Sequence, residues 1–386
     1  MTDFTRRGLL IGEGGVLEAD TLPAVPLMAQ TIRSETPFPR LELWEDGSRI
    51  PELYKPENFE WWYFDAQLTD GRTLVVVFFI DQDAGERRFV YRAQATVASP
   101  NGQRVAAEYV THQDVSISRE RPEIHIGKSF LRGDLDTYRV VMDASDLGKL
   151  GLDVTIRRIF PPRVSPANRE NIIQADKIFG WVCPVPRGEL TGTITVNGET
   201  AAVKGVAYHD HNWGTTTMGS LLHHWIWGRA AIGPYTAVYA SEYPNQPYTN
   251  SRTDGLQQFF IASEREVLVN VEGSGAARVT AVPAANPDPR NASAYYCPRV
   301  RFEVEQNGRR VTLETDAAQF LGSVDLATES KFLSPEEIAR AARMEHRPWY
   351  SRFVAAPVAL SITEKGNTET YSGQGVIEFM DFHLNA

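Results

Sequence analysis

Cysteine is nearly missing from this chain: 386 residues carry only Cys183 and Cys297. So sparse a set cannot make the disulfide framework of a small secreted scaffold. Neither cysteine belongs to a CxxC or Cys/His group with zinc spacing. Two buried thiols are expected, with a single bridge as the alternative. Long apolar runs are missing too. No stretch reaches the roughly 18 residues that a membrane-crossing helix needs, so no transmembrane segment is expected. The opening Thr5-Arg6-Arg7-Gly8-Leu9-Leu10-Ile11 has a twin-arginine look, but its apolar run stops at Gly12-Glu13-Gly14-Gly15. That is too short for a signal-peptide core. An ordinary N-terminus and a cytoplasmic protein are expected, and the glycosylation pattern Asn291-Ala292-Ser293 reads as coincidence.

Basic runs are also lacking. No Lys/Arg run exceeds a pair, and the net charge is −10. A general nucleic-acid or anionic-membrane binder would show a basic excess, so neither partner is expected. There is no GxGxxG opening a helix, no P-loop and no GxSxG. Nucleotide cofactors and covalent hydrolysis fit poorly.

Aromatic side chains, by contrast, are abundant: eight Trp, fourteen Tyr and eighteen Phe. Some must form core, and the rest suit the walls of an apolar binding cavity. Residues 1 to about 55 show no sustained period and read as a wrapping segment. From Glu60 onward the pattern is β. Leu74-Val75-Val76-Val77-Phe78-Phe79-Ile80 is too apolar to face water on either side. Turn signals recur at Asp70-Gly71, Asn101-Gly102, Gly133-Asp134, Asn197-Gly198 and Asn307-Gly308. Asn197-Gly198 between Leu190–Val196 and Ala201–Val206 predicts a tight hairpin. The density of turns suggests an antiparallel sandwich or barrel. The clearest helix runs from Ser334 to Met344, with Ser334 as cap, Pro335 at the first position and Glu337 closing a capping box. Two domains are expected, residues 1–205 and 206–386.

Two clusters look like halves of one pattern. Glu60-Trp61-Trp62-Tyr63-Phe64-Asp65-Ala66 leads through Asp70-Gly71 into a strand. His224-Trp225-Ile226-Trp227-Gly228-Arg229-Ala230 leads through Gly233-Pro234 into Tyr235–Ala240. Aligned, Trp61 meets Trp225, Tyr63 meets Trp227, and Asp65 falls opposite Arg229. If the halves pack together, Asp65 and Arg229 are expected to pair across the seam. The candidate substrate-binding residues are Glu60, Trp62, Tyr63, Asp65, Trp213, His224, Trp225, Trp227, Arg229, Tyr235 and Tyr239. Neighbours on a strand point oppositely, so Trp61 and Trp62 cannot both line one pocket; Trp225 and Trp227 can.

The densest polar stretch is Tyr208-His209-Asp210-His211-Asn212-Trp213-Gly214, followed by His223-His224. On a strand, His209 and His211 share one face and Asp210 takes the other. Three readings stay open. His209 and His211 with His223 or His224 could hold zinc or iron, although nothing in the spacing demands a metal and none is expected. His209, Asp210 or His211 could be a proton donor in an apolar pocket, where burial raises a carboxyl and lowers a histidine. The third reading is a self-sufficient buried hydrogen-bond network.

These segments together, with Gly233-Pro234-Tyr235-Thr236, resemble the superfamily of carotenoid 1,2-hydratases (hydroxyneurosporene synthases), kievitone hydratase and the decalin-forming, lipocalin-like Diels–Alderases. The resemblance covers about residues 58–243. It implies a mostly β fold of two lipocalin-like domains, an N-terminal β-sandwich and a C-terminal β-barrel, with the pocket between them. It also implies chemistry without a cofactor on a hydrophobic polyene, polyketide or isoprenoid. A cyclase in natural-product biosynthesis is the leading expectation, a hydratase the next, and a non-catalytic carrier the third. In the decalin-forming members a Trp and a later Lys of the barrel address the substrate. By position, Trp349 and Lys365 correspond here, with a packing Trp and an exposed turn Lys as the alternatives.

Overall fold

The computed structural model describes residues 40–50, 54, 55, 57–83, 86–165, 170–174, 177–245, 255–282, 296–306, 308–329, 333–344 and 348–382. The Asn291 sequence and the twin-arginine stretch lie outside them. The first sheet comprises β1 (Phe59–Leu68), β2 (Thr73–Asp83), β3 (Arg88–Ala98), β4 (Arg104–Thr111), β5 (Val115–Ile117), β6 (Glu123–Ile126), β7 (Ser129–Gly133), β8 (Thr137–Met142), β9 (Leu150–Arg158), β10 (Glu170–Gln174), β11 (Lys177–Val196) and β12 (Glu199–Gly214). Its order is β4-β3-β2-β1-β12-β11-β9-β8-β7-β6-β5, with β10 beside β11. The sheet folds over so that β3 meets β6 and β8, and β4 meets β9. The second sheet comprises β13 (Leu222–Ile232), β14 (Tyr235–Pro244), β15 (Leu256–Ser263), β16 (Val267–Ser274), β17 (Arg278–Val282), β18 (Arg299–Gln306), β19 (Arg309–Asp325), β20 (Trp349–Glu364) and β21 (Asn367–Asp381). Its order is β16-β15-β14-β13-β21-β20-β19-β18-β17. Among the described residues this is an open barrel, since its two edge strands do not pair.

The two aromatic clusters occupy central strands, β1 between β2 and β12, and β13 between β14 and β21. Asn197-Gly198 makes the β11–β12 turn, with φ of 51° and 87°, as a two-residue hairpin of that type requires. The helix runs Pro335–Ala341, and the Ser334/Glu337 capping box is formed. Both cysteines are free thiols, Cys183 buried and Cys297 half-buried. Among the described residues no helix is long and apolar enough to cross a membrane.

The division expected at 205/206 falls inside β12. That strand runs to Gly214 because its last eight residues pair with Phe59–Ala66 of β1. The chain passes to the second sheet only through residues 215–221, including the short helix Met218–Leu221.

Two-sided burial explains the apolar Leu74–Ile80 run. Leu74, Val76, Phe78 and Ile80 enter the N-terminal core with Trp62, Phe64, Leu131, Tyr138 and Val154. Val75, Val77 and Phe79 face the second sheet across a cavity. The barrel core holds Ile226, Tyr239, Phe259, Phe302, Leu313, Phe353 and Leu360. Gly228 is required there, since a Cβ would lie 2.4 Å from the Tyr239 ring.

Polar contacts clamp the two sheets. Asp65 and Arg229 form a buried ion pair, with Arg229 Nε donating to Asp65 Oδ2 at 3.1 Å. Arg163 bridges to Glu272 at 3.0 Å. Thr236 Oγ1 donates to the Pro186 carbonyl at 2.9 Å, and Arg187 donates to the Gly233 and Tyr235 carbonyls. Asn270 Nδ2 donates to the Val164 carbonyl at 2.9 Å. The aligned residues of the two clusters thus face one another: Asp65 pairs with Arg229, and the Tyr63 and Trp227 rings meet edge to face at 5.7 Å.

Breaking a buried pair by removing one partner leaves an uncompensated charge and costs about 3–5 kcal/mol. Arg229→Ala is therefore expected to lower unfolding stability by that amount in urea titrations. Asp65→Asn combined with Arg229→Met removes both charges and should recover about half of the loss. A double variant no more stable than the single one would refute an electrostatic origin.

Candidate active site

A cavity of about 820 Å³ lies between the sheets, outside the filled barrel. Backbone register builds its walls. On the first sheet, Trp61 and Tyr63 of β1 stand beside Phe79 and Val77 of β2, and beside Asn212 and Asp210 of β12. Trp181 of β11 pairs across from Asn212. On the second sheet, Trp225 stands in a row with Met380 and Tyr350, and Trp227 in a row with Glu378 and Arg352. Ala240 and Glu242 of β14 continue that face, opposite Trp227 and Trp225. All these side chains line the cavity.

Asp210 is the polar centre of the first wall. Its Oδ2 accepts from Trp181 Nε1 at 3.0 Å and from Tyr208 Oη at 2.8 Å, and its Oδ1 accepts from Asn212 Nδ2 at 3.0 Å. Burial pushes the carboxyl up to about 7, against the pull of Tyr208, His209 and Trp181. On the second wall, Arg352 Nε donates to Glu378 Oε1 at 2.6 Å. The Arg352 guanidinium lies over the Tyr63 ring at 5.0 Å and near the Tyr350 ring at 5.4 Å. Burial raises Tyr63 and Tyr350 well above the usual phenol range, so both keep their protons. Glu242 accepts from Gln258 Nε2 at 3.2 Å. Burial, reinforced by Glu272, pushes it up to about 8.

The strand parity that separates His209 and His211 from Asp210 decides their surroundings. His211 stacks on Trp62 with centroids 4.5 Å apart, and His209 on Phe64 at 3.9 Å. Both histidines are fully buried in the N-terminal sandwich, away from the cavity. His209 donates from Nδ1 to the Tyr63 carbonyl at 3.0 Å, and its Nε2 lies 3.1 Å from Asp46. His211 Nε2 lies 2.9 Å from Glu60, which also accepts from Ser48 and the Arg49 backbone. Tyr138 Oη donates to Asp46 at 2.6 Å. These contacts fasten residues 46–49 of the expected wrapping segment into the sandwich, the arrangement of a structural network. Among the described residues, no group of three or more His, Cys, Asp and Glu side chains could hold a metal ion.

Of the sequence candidates, Tyr63, Asp210, Trp225 and Trp227 line the cavity. Several others do not. Trp62, Glu60 and Trp213 belong to the sandwich side, so Trp61 takes the wall position that Trp62 was expected to fill. Asp65 and Arg229 close the seam. His224 stacks on Tyr243 at 4.0 Å beside His223, and Tyr235 packs on Tyr371 at 5.1 Å. Tyr239 points into the barrel core because its parity is opposite to that of Ala240 and Glu242. Trp349 begins β20, half-buried between Asp325 and Asp381 rather than on the wall. Lys365 occupies the exposed β20–β21 turn at φ 50° and does not line this cavity.

Sequence reading missed Trp181, Glu242, Tyr350, Arg352 and Glu378. A signal existed for two of them: a single acid, Glu378, interrupts the apolar run Val376–Met380, and another, Glu242, ends the run Val238–Ser241.

A family described as Diels-Alderase-like matches residues 46–258. Curated relatives include two quinolone epoxide rearrangement proteins. That of Penicillium thymicola is 28% identical over 29% of this chain and 33% of its own length. That of Emericella nidulans is 26% identical over 50% of this chain and 56% of its own length. The match thus spans a third to just over half of these relatives. The solved structure of CghA with Sch210972 superposes with a TM-score of 0.63 at 16% identity, covering 88% of this chain and 95% of CghA. Kievitone hydratase from Nectria haematococca superposes at 0.53 and 13% identity, covering 92% and 96%. The shared fold is the lipocalin-like one.

A carboxyl raised on folding binds protons that the unfolded chain releases, so it stabilises below its unfolded pKa and loses that stability as pH rises through the folded one. For Asp210 the window runs from 3.8 to about 7, a loss on the order of 4 kcal/mol at most. Asp210→Asn should flatten stability across that window and raise the melting temperature at pH 8; an unchanged pH dependence would refute the buried acid. Trp225→Ala and Trp227→Ala should weaken binding of the neutral dye N-phenyl-1-naphthylamine while the fold is retained. Full binding by both folded variants would remove them from the wall.

Proposed function

The chain belongs to the Diels-Alderase-like family, and from that premise we propose that it cyclises a linear hydrophobic polyene or polyketide in natural-product biosynthesis, by a [4+2] closure. The observation that carries this reading is the cavity itself: about 820 Å³ between two walls rich in aromatic side chains, with charged groups such as Asp210, Glu242, Arg352 and Glu378 set among them. That is the size range of small-molecule sites. A [4+2] closure needs no external proton or electron: two carbon–carbon σ bonds form as the diene and dienophile give up π bonds. Its barrier falls chiefly when the two ends are held in a near-attack conformer, worth roughly 7–11 kcal/mol in the best intramolecular cases. Trp61, Phe79 and Tyr63 on one wall, with Trp225 and Trp227 on the other, are placed to fold such a chain. A hydrogen bond from the wall to the dienophile carbonyl would draw electron density from the alkene. No cofactor enters this scheme.

A hydratase is the second reading, favoured by carboxyls that keep a proton near neutral pH on both walls, Asp210 and Glu242. Such an acid could protonate a double bond before water adds. The relatives named for quinolone epoxide rearrangement point the same acids toward an oxygen substituent. A passive carrier has no need of buried acids, which weighs against the third reading.

A linear trienone whose enone and diene share a saturated tether tests the proposal. Cyclisation gives a bicyclic octalone of unchanged mass in enantiomeric excess, and Trp227→Ala should lower the rate roughly tenfold or more. A product heavier by one water would favour the hydratase. A racemic octalone at the uncatalysed rate would refute the cyclase.

A further inference from the structure

Charge pairing along the seam is uneven. Arg163 pairs with Glu272, Arg229 with Asp65, and Arg352 with Glu378. Asp210 and Glu242 line the same cavity and, among the described residues, make no ion pair. Their hydrogen bonds differ in kind. Asp210 accepts from three donors, the arrangement that stabilises a carboxylate. Glu242 accepts one bond, from the Gln258 amide.

The orientation of that amide is set from the other sheet. Arg163 Nη2 donates to Gln258 Oε1, which turns the Gln258 Nε2 toward Glu242. Arg163 also lies over the Trp181 ring at 4.5 Å, and Trp181 donates to Asp210. One chain of contacts therefore joins the two carboxyls: Asp210, Trp181, Arg163, Gln258, Glu242. Because Glu272 takes the ion pair with Arg163, the cation is not free to discharge Glu242. A buried carboxyl left with a neutral partner retains its proton.

We propose that Asp210 and Glu242 form a divided acid–base pair across the cavity, Asp210 as base and Glu242 as acid, and that the substrate carries an enolisable carbonyl. This rests on the proposed cyclisation only for the carbon chain; the carbonyl end is a separate claim. Asp210 carboxylate removes a proton from the carbon beside the carbonyl. The C–H electron pair becomes the enol C=C, the carbonyl π pair moves to oxygen, and Glu242 delivers its proton there. The product is the neutral enol, isomeric with the ketone, with the proton moved from Glu242's side to Asp210's. Reversal, or exchange with solvent, resets both groups. Pairs whose surroundings push two acids apart are the usual mark of such a division.

The groups facing each member are defined. Asp210 meets Tyr208, Trp181 and Asn212, and feels the charges of Cys183, Glu378 and, from the opposite face of its strand, His209. Glu242 meets Glu272, Arg163 and Gln258. The base must be ionised and the acid protonated, so turnover rises with pH through the Asp210 titration and falls through that of Glu242.

The test uses the full chain and the same trienone in deuterated buffer, reading deuterium at the saturated carbon beside the carbonyl by mass spectrometry. Wild type should exchange with a bell-shaped pH profile. Asp210→Asn should lose exchange at least a hundredfold. Glu242→Gln should slow it at least tenfold and lose the alkaline limb. N-phenyl-1-naphthylamine binding confirms an intact cavity in each variant. Infrared spectra without substrate give the second readout: Asp210→Asn removes the part of the protonated-carboxyl band that fades first as pH rises, and Glu242→Gln the part that persists to higher pH. Exchange without octalone would sink the cyclase and keep this pair. No exchange by wild type, or an unaltered alkaline limb and carboxyl band in Glu242→Gln, would overturn the pair whether or not octalone forms.

Discussion

Side chains alternate across a β-strand, and the central strands here are buried on both faces. Everything at the site follows from which parity a residue holds. On β1, Trp62 and Phe64 join the sandwich core while Trp61 and Tyr63 form a cavity wall. On β12, His209 and His211 follow the first set and Asp210 and Asn212 the second. On β13, Ile226 and Ala230 enter the barrel while Trp225 and Trp227 face out. A shift of one residue in register would exchange these sets entirely.

That constraint separates stability from chemistry within a few residues. The His209–Asp46 and His211–Glu60 contacts anchor the segment around residue 46 inside a sealed sandwich. Two residues of the same strand, turned outward, supply polar groups to the cavity. The barrel contributes only its exterior to the site. Its interior is filled by Tyr239, Phe259, Phe302 and Phe353, so the lipocalin-like fold serves here as a wall rather than a container.

The seam is held by buried ion pairs rather than by apolar packing alone. Such pairs gain little over well-packed hydrophobic residues, but each one is strongly destabilised by loss of one partner. They therefore enforce one docking of the two sheets. The cavity depends on that docking, because Asp210 lies on one sheet and Glu242 and Arg352 on the other. The orientation of Gln258, and through it the hydrogen bond to Glu242, needs Arg163 from across the seam.

Composition and local pattern determined much by themselves: the β class, the Asn197-Gly198 hairpin, the capped helix at Ser334, and the two aromatic clusters whose alignment sets Asp65 opposite Arg229. They also determined that His209 and His211 oppose Asp210, because period-two alternation is a local property. Which of those faces met the cavity was not local. It required the pairing of β12 with β1 and the docking of the two sheets, which separate Asp210 on the cavity wall from His209 and His211 in the sandwich. Arg352, Glu378 and Glu242 were invisible for the same reason. They are distant in the chain, and only the β14-β13-β21-β20 pairing puts them beside Trp225 and Trp227. Lys365 fits a two-residue turn by its sequence, Lys365-Gly366, and the fold keeps it there. Long-range strand pairing, which no short window of sequence encodes, decided the site.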